Sequence, residues 1–223
     1  MNFEMTLADR LQKLKNLLPT GVTLVVVSKT KPVADLMEAY KAGQRVFGEN
    51  KVQEMVEKFH EMPKDIQWHM IGNLQRNKVK YMASFVHLIH GVDSLKLLKE
   101  INKQAQKNER VIDCLIQIKI ASESTKFGMS SKEAVNLLKS DDFKTLKYIK
   151  ISGVMGMASY TEDKIKISKE FKNLKSTFER LKELQKDMDI ISMGMSGDYS
   201  LAIECGSSMI RVGSLIFGKR HCT

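Results

Sequence analysis

Lys29 closes an apolar run over residues 22–28 that has the length and β-branched content of a buried strand. A lysine desolvated at the end of such a run, near other cations, has a lowered pKa, and its neutral amine condenses with an aldehyde to a Schiff base. Far along the chain, Ser192-Met193-Gly194-Met195-Ser196 and Arg211-Val212-Gly213-Ser214 end two further apolar runs. Glycines that let backbone approach closely, hydroxyls, and the unpaired N–H groups of helix starts form a cradle for an anion.

These groups need a frame that brings strand ends together. Short apolar runs lie at 22–28, 45–47, 66–71, 85–89, 111–118, 148–154, 190–193 and 209–212. Helical periodicity fills 33–42, 50–61, 75–84, 94–107, 131–138, 164–186 and 199–205, and a further helix over 7–18 precedes the first strand. Strands alternating with helices imply parallel βαβ units, and eight of them match a closed (β/α)8 barrel; a doubly wound open sheet is the competitor. In a barrel the chemistry gathers where strands end, and the loops after strands seven and eight hold phosphate. A phosphate cup with a Schiff-base lysine suggests pyridoxal 5'-phosphate, which carries both groups.

Composition narrows the remaining classes. The 223 residues are 43% hydrophobic and 28% charged with three prolines, an ordinary globular balance that needs no staples. No apolar run approaches the ~18 residues of a membrane helix. The net charge of +10 raises nucleic acid or an acidic ligand as partner, yet the lysines are spread along solvated helix faces, and 7% aromatics do not support a nucleic-acid surface. Cys114, Cys205 and Cys222 are far apart, which suits free thiols in a reducing compartment, and residues 1–10 lack a secretory core, so the cytoplasm is the expected location.

Several ordered motifs carry a resemblance. They are Val27-Ser28-Lys29-Thr30-Lys31-Pro32, Phe47-Gly48-Glu49-Asn50, Val52-Gln53-Glu54 and Trp68-His69-Met70-Ile71-Gly72. Leu74-Gln75, Asn77-Lys78, Val92-Asp93, the Ser192–Ser196 box, Asp198, Arg211-Val212-Gly213 and Ile216-Phe217-Gly218 follow in order. Together they resemble the pyridoxal phosphate homeostasis protein family, relatives of the barrel domain of alanine racemase.

The resemblance implies one α/β domain over residues 1–223, a single (β/α)8 TIM barrel of the alanine racemase N-terminal-domain type with an extra N-terminal helix. It implies Lys29 as the Schiff-base lysine, with Lys31 the alternative, and Ser196, Gly213 and Ser214 on the phosphate. Arg211 would approach the pyridine nitrogen, and Asn50, His69 and Met193 would line the mouth. Lys51 stands where the family usually has Tyr, Ser208 where it has Thr, and Ser214 where it often has Thr. An arginine at the pyridine nitrogen disfavours its protonation and weakens the ring as an electron sink. Five residues after Gly218 leave no room for the second domain that supplies alanine racemases with an opposing acid or base. The expected function is therefore to bind, protect and deliver pyridoxal phosphate, as a monomer, to apo-enzymes, with indirect effects on amino- and keto-acid pools; a weak amino-acid racemase is the alternative.

Other patterns carry less. Gly213-x4-Gly218-Lys219 resembles a P-loop, but Arg220 replaces the required Ser or Thr. His87 and His90, three apart in an expected strand, face opposite sides and do not chelate one metal. Trp68 and Cys205 read as core, and Glu49 and Asp198 as helix caps or supports for the site.

Overall fold

The computed structural model describes residues 5–121 and 127–218. Eight parallel strands close into a barrel in sequence order: β1 (Thr23–Val27), β2 (Val46–Glu49), β3 (Gln67–Met70), β4 (Leu88–Val92), β5 (Ile112–Gln117), β6 (Ile149–Met155), β7 (Ile190–Ser192) and β8 (Met209–Val212). β8 returns to β1 with Val25 opposite Arg211. This is the (β/α)8 fold with an extra N-terminal helix. Among the described residues no helix is long and apolar enough to cross a membrane.

The helices are α1 (Leu7–Leu17), α2 (Val33–Lys41), α3 (Val52–Glu61), α4 (Leu95–Lys107), α5 (Ser131–Lys139), α6 (Asp141–Lys144), α7 (Lys164–Lys182), α8 (Tyr199–Glu204) and α9 (Ser214–Phe217). Their starts are chemically marked. Thr6 with Asp9 and Ser130 with Glu133 form capping boxes, while Asp163 caps α7 through its carboxylate. Alternation along each strand sends Leu24, Val26, Phe47, Trp68 and Ile89 outward beneath the helices. Trp68 is fully buried with its ring 6.0 Å from Phe47. Val25, Leu88, Leu115, Met155 and Met209 form a separate cluster filling the lumen.

Two expected elements take other forms. The third crossover is a 3₁₀ helix, Arg76–Tyr81, rather than an α-helix over 75–84. Of its residues only Val79 is buried, too little apolar surface to hold a full amphipathic helix on the barrel. The fourth strand starts at Leu88 rather than Phe85, because the Phe85 and Val86 amides donate to the Met82 carbonyl (3.1 and 2.8 Å) and are lost to the ladder. Phe85 instead stacks on Phe59, centroids 3.9 Å apart. The short helices α6 and α9 carry no periodic signal long enough to read.

Gly153 shows how tightly the wall closes. It pairs with Ile190 beside a register shift between β5 and β6, and a Cβ there would sit 1.8 Å from the Ile190 carbonyl oxygen. Gly153→Ala is expected to lower the unfolding free energy by about 2–3 kcal/mol, read by urea denaturation, because the wall must shift to admit the methyl group. An unchanged midpoint would show that this seam yields freely.

Candidate cofactor site

The chain turns sharply after β1. Lys31 N–H donates to the Ser28 carbonyl at 3.0 Å, and Thr30 sits at φ +62°, a costly conformation for a β-branched residue. A buried network holds that turn. Lys58, on α3, spends all three ammonium protons: on Glu49 Oε1 and Glu54 Oε1, each at 2.7 Å, and on the Ser28 carbonyl at 2.8 Å. Glu54 Oε1 also accepts the Thr30 N–H at 2.5 Å, and Ser28 Oγ donates to Glu49 Oε1 at 2.6 Å. Burial raises the Glu49 pKa, and the Lys58 charge works against that rise. Glu49 is thus a clamp on the turn, not a helix cap. Lys29, half-buried just past the end of the strand, lies in this turn, while Lys31 donates to the Phe217 carbonyl at 3.3 Å.

Above the apolar lumen lies a polar layer. Arg211, only 4% exposed, donates from Nη1 to Ser192 Oγ (2.6 Å) and from Nη2 to the Gly156 carbonyl (3.1 Å). Ser192 Oγ meets His90 Nδ1 at 3.1 Å, and His90 Nε2 meets His69 Nδ1 at 3.0 Å. The chain spans β8, β7, β4 and β3. His69 Nε2, fully buried, has no hydrogen-bond partner among the described residues. Burial pushes the Arg211 pKa down to about 10, so it stays cationic at neutral pH. Burial also pushes His69 down from 6.5 to about 3 and His90 well below its ordinary value, with neighbouring cationic or imidazole groups adding to the effect; both rings are neutral.

The loops after β7 and β8 meet beside this layer. Gly194 adopts φ +98°, with no room for a Cβ, which would lie 2.7 Å from Ala202 Cβ. The Asp198 carboxylate accepts the Met195 N–H at 2.6 Å; it shapes the loop and makes no side-chain cap on α8. Ser196 Oγ accepts the Gly213 N–H at 3.4 Å, so the two loops touch. A Cβ at Gly213 would stand 2.9 Å from the Val27 carbonyl. Ser214, exposed, opens α9.

A profile of the alanine racemase N-terminal domain family matches residues 5–221. A pyridoxal phosphate homeostasis protein from Pasteurella multocida is 39% identical over 206 residues, covering 90% of this chain and 88% of its own. One from Schizosaccharomyces pombe is 40% identical over 206 residues, covering 90% and 85%. The chain belongs to the pyridoxal phosphate homeostasis protein family. The structure of PipY from Synechococcus elongatus PCC7942 with pyridoxal phosphate bound is also similar, with TM-score 0.86 and 32% identity, covering 96% of this chain and all of that one.

The family's expected positions fall into distinct groups here. Arg211 and His69 share the lumen layer, Ser196 and Gly213 share the loop contact, and Lys29 sits on its clamped turn. Asn50 is half-buried just after β2, its backbone against Gly72. Met193 stands apart: it is fully buried in the shell between wall and helices, because one residue past Ser192 the alternation turns outward. Ser208, where the family usually has Thr, keeps the hydroxyl's work, accepting the Ile191 N–H at 2.9 Å and donating to the Asp189 carbonyl at 3.2 Å. Lys51 is exposed at the start of α3. Of the decoys, α9 fills the middle of the P-loop-like segment, whose Lys219 and Arg220, like Cys222, lie outside the described residues. His87 precedes β4 and is exposed, while His90 points into the lumen. Sequence reasoning did not assign Lys58, Glu54, His90 or Ser192; the available signal was alternation, which places Ser192 and His90 on the inner face.

Lys58→Met leaves the Glu49 carboxylate buried without its cation, and the expected cost is about 3–5 kcal/mol in urea unfolding. A loss under about 1 kcal/mol would mean the clamp is replaceable by water. Neutral folded imidazoles also set the acid response. An unfolded histidine protonates near 6.5 and folded His69 near 3, so the stability this residue protects is complete above pH 6.5 and is lost as pH falls. Between about pH 4 and 6 the slope of unfolding free energy against pH is expected to fall by about 1.4 kcal/mol per unit in His69→Gln. An identical slope in the variant would contradict a neutral buried ring.

Proposed function

We propose that this chain binds pyridoxal 5'-phosphate as a Schiff base of Lys29 and serves its homeostasis, holding the cofactor and releasing it to apo-enzymes that need it, with indirect effects on amino- and keto-acid pools. The observation that carries this reading is the arrangement of the turn. The Lys58 network holds the turn that carries Lys29, while Lys31 is committed to Phe217, beside a lumen headed by Arg211 and loops offering Ser196 and Gly213. The residues fit the cofactor on independent grounds: among the described residues the buried His69 Nε2, in the polar layer, has no hydrogen-bond partner, and Gly213 leaves bare backbone where a side chain would collide with Val27. Relatives bearing the family name, and PipY with pyridoxal phosphate bound, support it.

Bound pyridoxal phosphate supplies an aldehyde for amines and a pyridine ring that draws electrons from an attached amino acid. Lys29 takes the aldehyde. Ser196, Gly213 and Ser214 hold the phosphate through hydroxyls and backbone N–H groups. Asn50 lines the mouth. Arg211, cationic at neutral pH, stands toward the pyridine nitrogen and disfavours a proton there, which suits storage over turnover. Every group invoked comes from one chain, which supports a monomer. The buried free thiols of Cys114 and Cys205 support a reducing compartment such as the cytoplasm.

After incubation with pyridoxal phosphate, the wild type is expected to show a yellow absorbance band that borohydride abolishes, and Lys29→Ala to show none. The loaded wild type is expected not to racemise amino acids. A band that survives in Lys29→Ala moves the attachment elsewhere, no band in the wild type ends the reading, and robust racemisation replaces carriage with catalysis.

A further inference from the structure

The polar layer of the lumen has a direction. Arginine has only donors, so the 2.6 Å contact makes Ser192 Oγ the acceptor. Ser192 is fully buried, and its hydroxyl has one other partner, His90 Nδ1. Two arrangements of protons are compatible with these contacts. In one, the serine hydroxyl donates to His90 Nδ1, His90 donates from Nε2 to His69 Nδ1, and His69 carries its proton on Nε2. In the other, His90 donates from Nδ1 to the serine, His69 donates from Nδ1 to His90, and His69 Nε2 is a bare lone pair. The second arrangement strands the serine proton in a sealed site as well as leaving His69 Nε2 unmet, whereas the first leaves only His69 Nε2 unmet. Buried unmet polar groups are the costly outcome, so the first arrangement is preferred. Either requires neutral imidazoles, which burial provides.

We infer that Arg211, acting through Ser192 and His90, fixes His69 as the Nε2–H tautomer and makes its orphaned nitrogen a hydrogen-bond donor to an oxygen of the ligand in the lumen. This deepens the reading of the site as a pyridoxal phosphate site and rests on it. With the phosphate on the loops after β7 and β8 and the aldehyde on Lys29, the ring phenolate is the oxygen acceptor left for that donor. Arg211 and Ser192 are positioning residues here: they do not meet the phenolate themselves but decide whether His69 presents it a proton or a lone pair. Ser192 and His90 become intelligible as parts of this relay, one at the end of β7 and the other on β4.

The test is two-bond proton–nitrogen correlation NMR on the ligand-free chain labelled with ¹⁵N-histidine, assigned with His69→Gln and His90→Gln. Both rings are expected to show a pyridine-like Nδ1 and a protonated Nε2. A protonated Nδ1 on His69 overturns the inference. In Ser192→Ala the pair is expected to lose its single tautomer, a change that a merely space-filling serine does not produce; unchanged tautomers overturn the control by Arg211. Pyridoxal phosphate is then titrated into the wild type, where the His69 Nε2–H resonance is expected to move downfield and exchange more slowly with water. His69→Phe is expected to raise the dissociation constant roughly ten- to a hundredfold, the range for a hydrogen bond to a charged group. If the cofactor binds and that resonance stays in place, the donor role falls. If it does not bind at all, the reading of the site falls, while the tautomer seen in the free chain stands.

Discussion

Arg211 brings a charge that cannot be shed at neutral pH into a barrel whose lumen is floored by Val25, Leu88, Leu115, Met155 and Met209. It makes no salt bridge among the described residues, with the nearby Asp198 carboxylate felt only at longer range. Such a cation is tolerated only where its N–H groups find acceptors, and here they are a serine hydroxyl and a strand-end carbonyl. The consequences spread outward. Ser192 is oriented by it, His90 by Ser192, and His69 by His90, so one guanidinium orders four strands' worth of inward side chains. In the proposed function the same charge also bears on the cofactor, since a fixed cation is a poor neighbour for a protonated pyridine.

A second buried network lies on the other side of the wall. Lys58 ties Glu49 and Glu54 to the turn after β1, and its three bonds make that turn affordable despite the strained Thr30. The two networks divide the labour. The inner one orders the polar layer of the lumen, and the outer one fixes the turn that carries Lys29, the amine of the proposed function. β1 and β2 lie between them, with Gly48 facing the lumen and Glu49 facing the helices on consecutive residues. Strand alternation thus lets four residues of chain serve both sides.

That alternation also explains what the linear sequence discloses. All eight strands are legible in the apolar runs, the fourth three residues early, because burial on both faces of a parallel strand leaves a continuous apolar signature; closure of the barrel is not, since the same alternation fits an open sheet. The region after β3 misleads, since Phe85-x-His87-x-Ile89 has a strand period while its first amides are spent on Met82. Lys29, Ser196 and Gly213 are legible as strand-end residues. His69 and Arg211 are legible as types, but their linkage is not: Ser192 and His90 are 102 residues apart and meet only through the closure of the barrel. Lys58 is hidden for the same reason, because on sequence alone it is one more lysine on a charged helix face. Met193 shows the converse, a residue in a motif whose neighbour, not itself, faces the lumen.

The proposed function depends on a single amine among many lysines, so the decisive question is which nitrogen bears the cofactor. The most direct measurement is peptide mapping by mass spectrometry after loading the intact chain with pyridoxal phosphate, reducing with borohydride and digesting with a protease. The account predicts one stoichiometric phosphopyridoxyl group, on Lys29, with Lys31 and Lys58 unmodified. Label on Lys31, or label scattered over surface lysines with none enriched at Lys29, would contradict it.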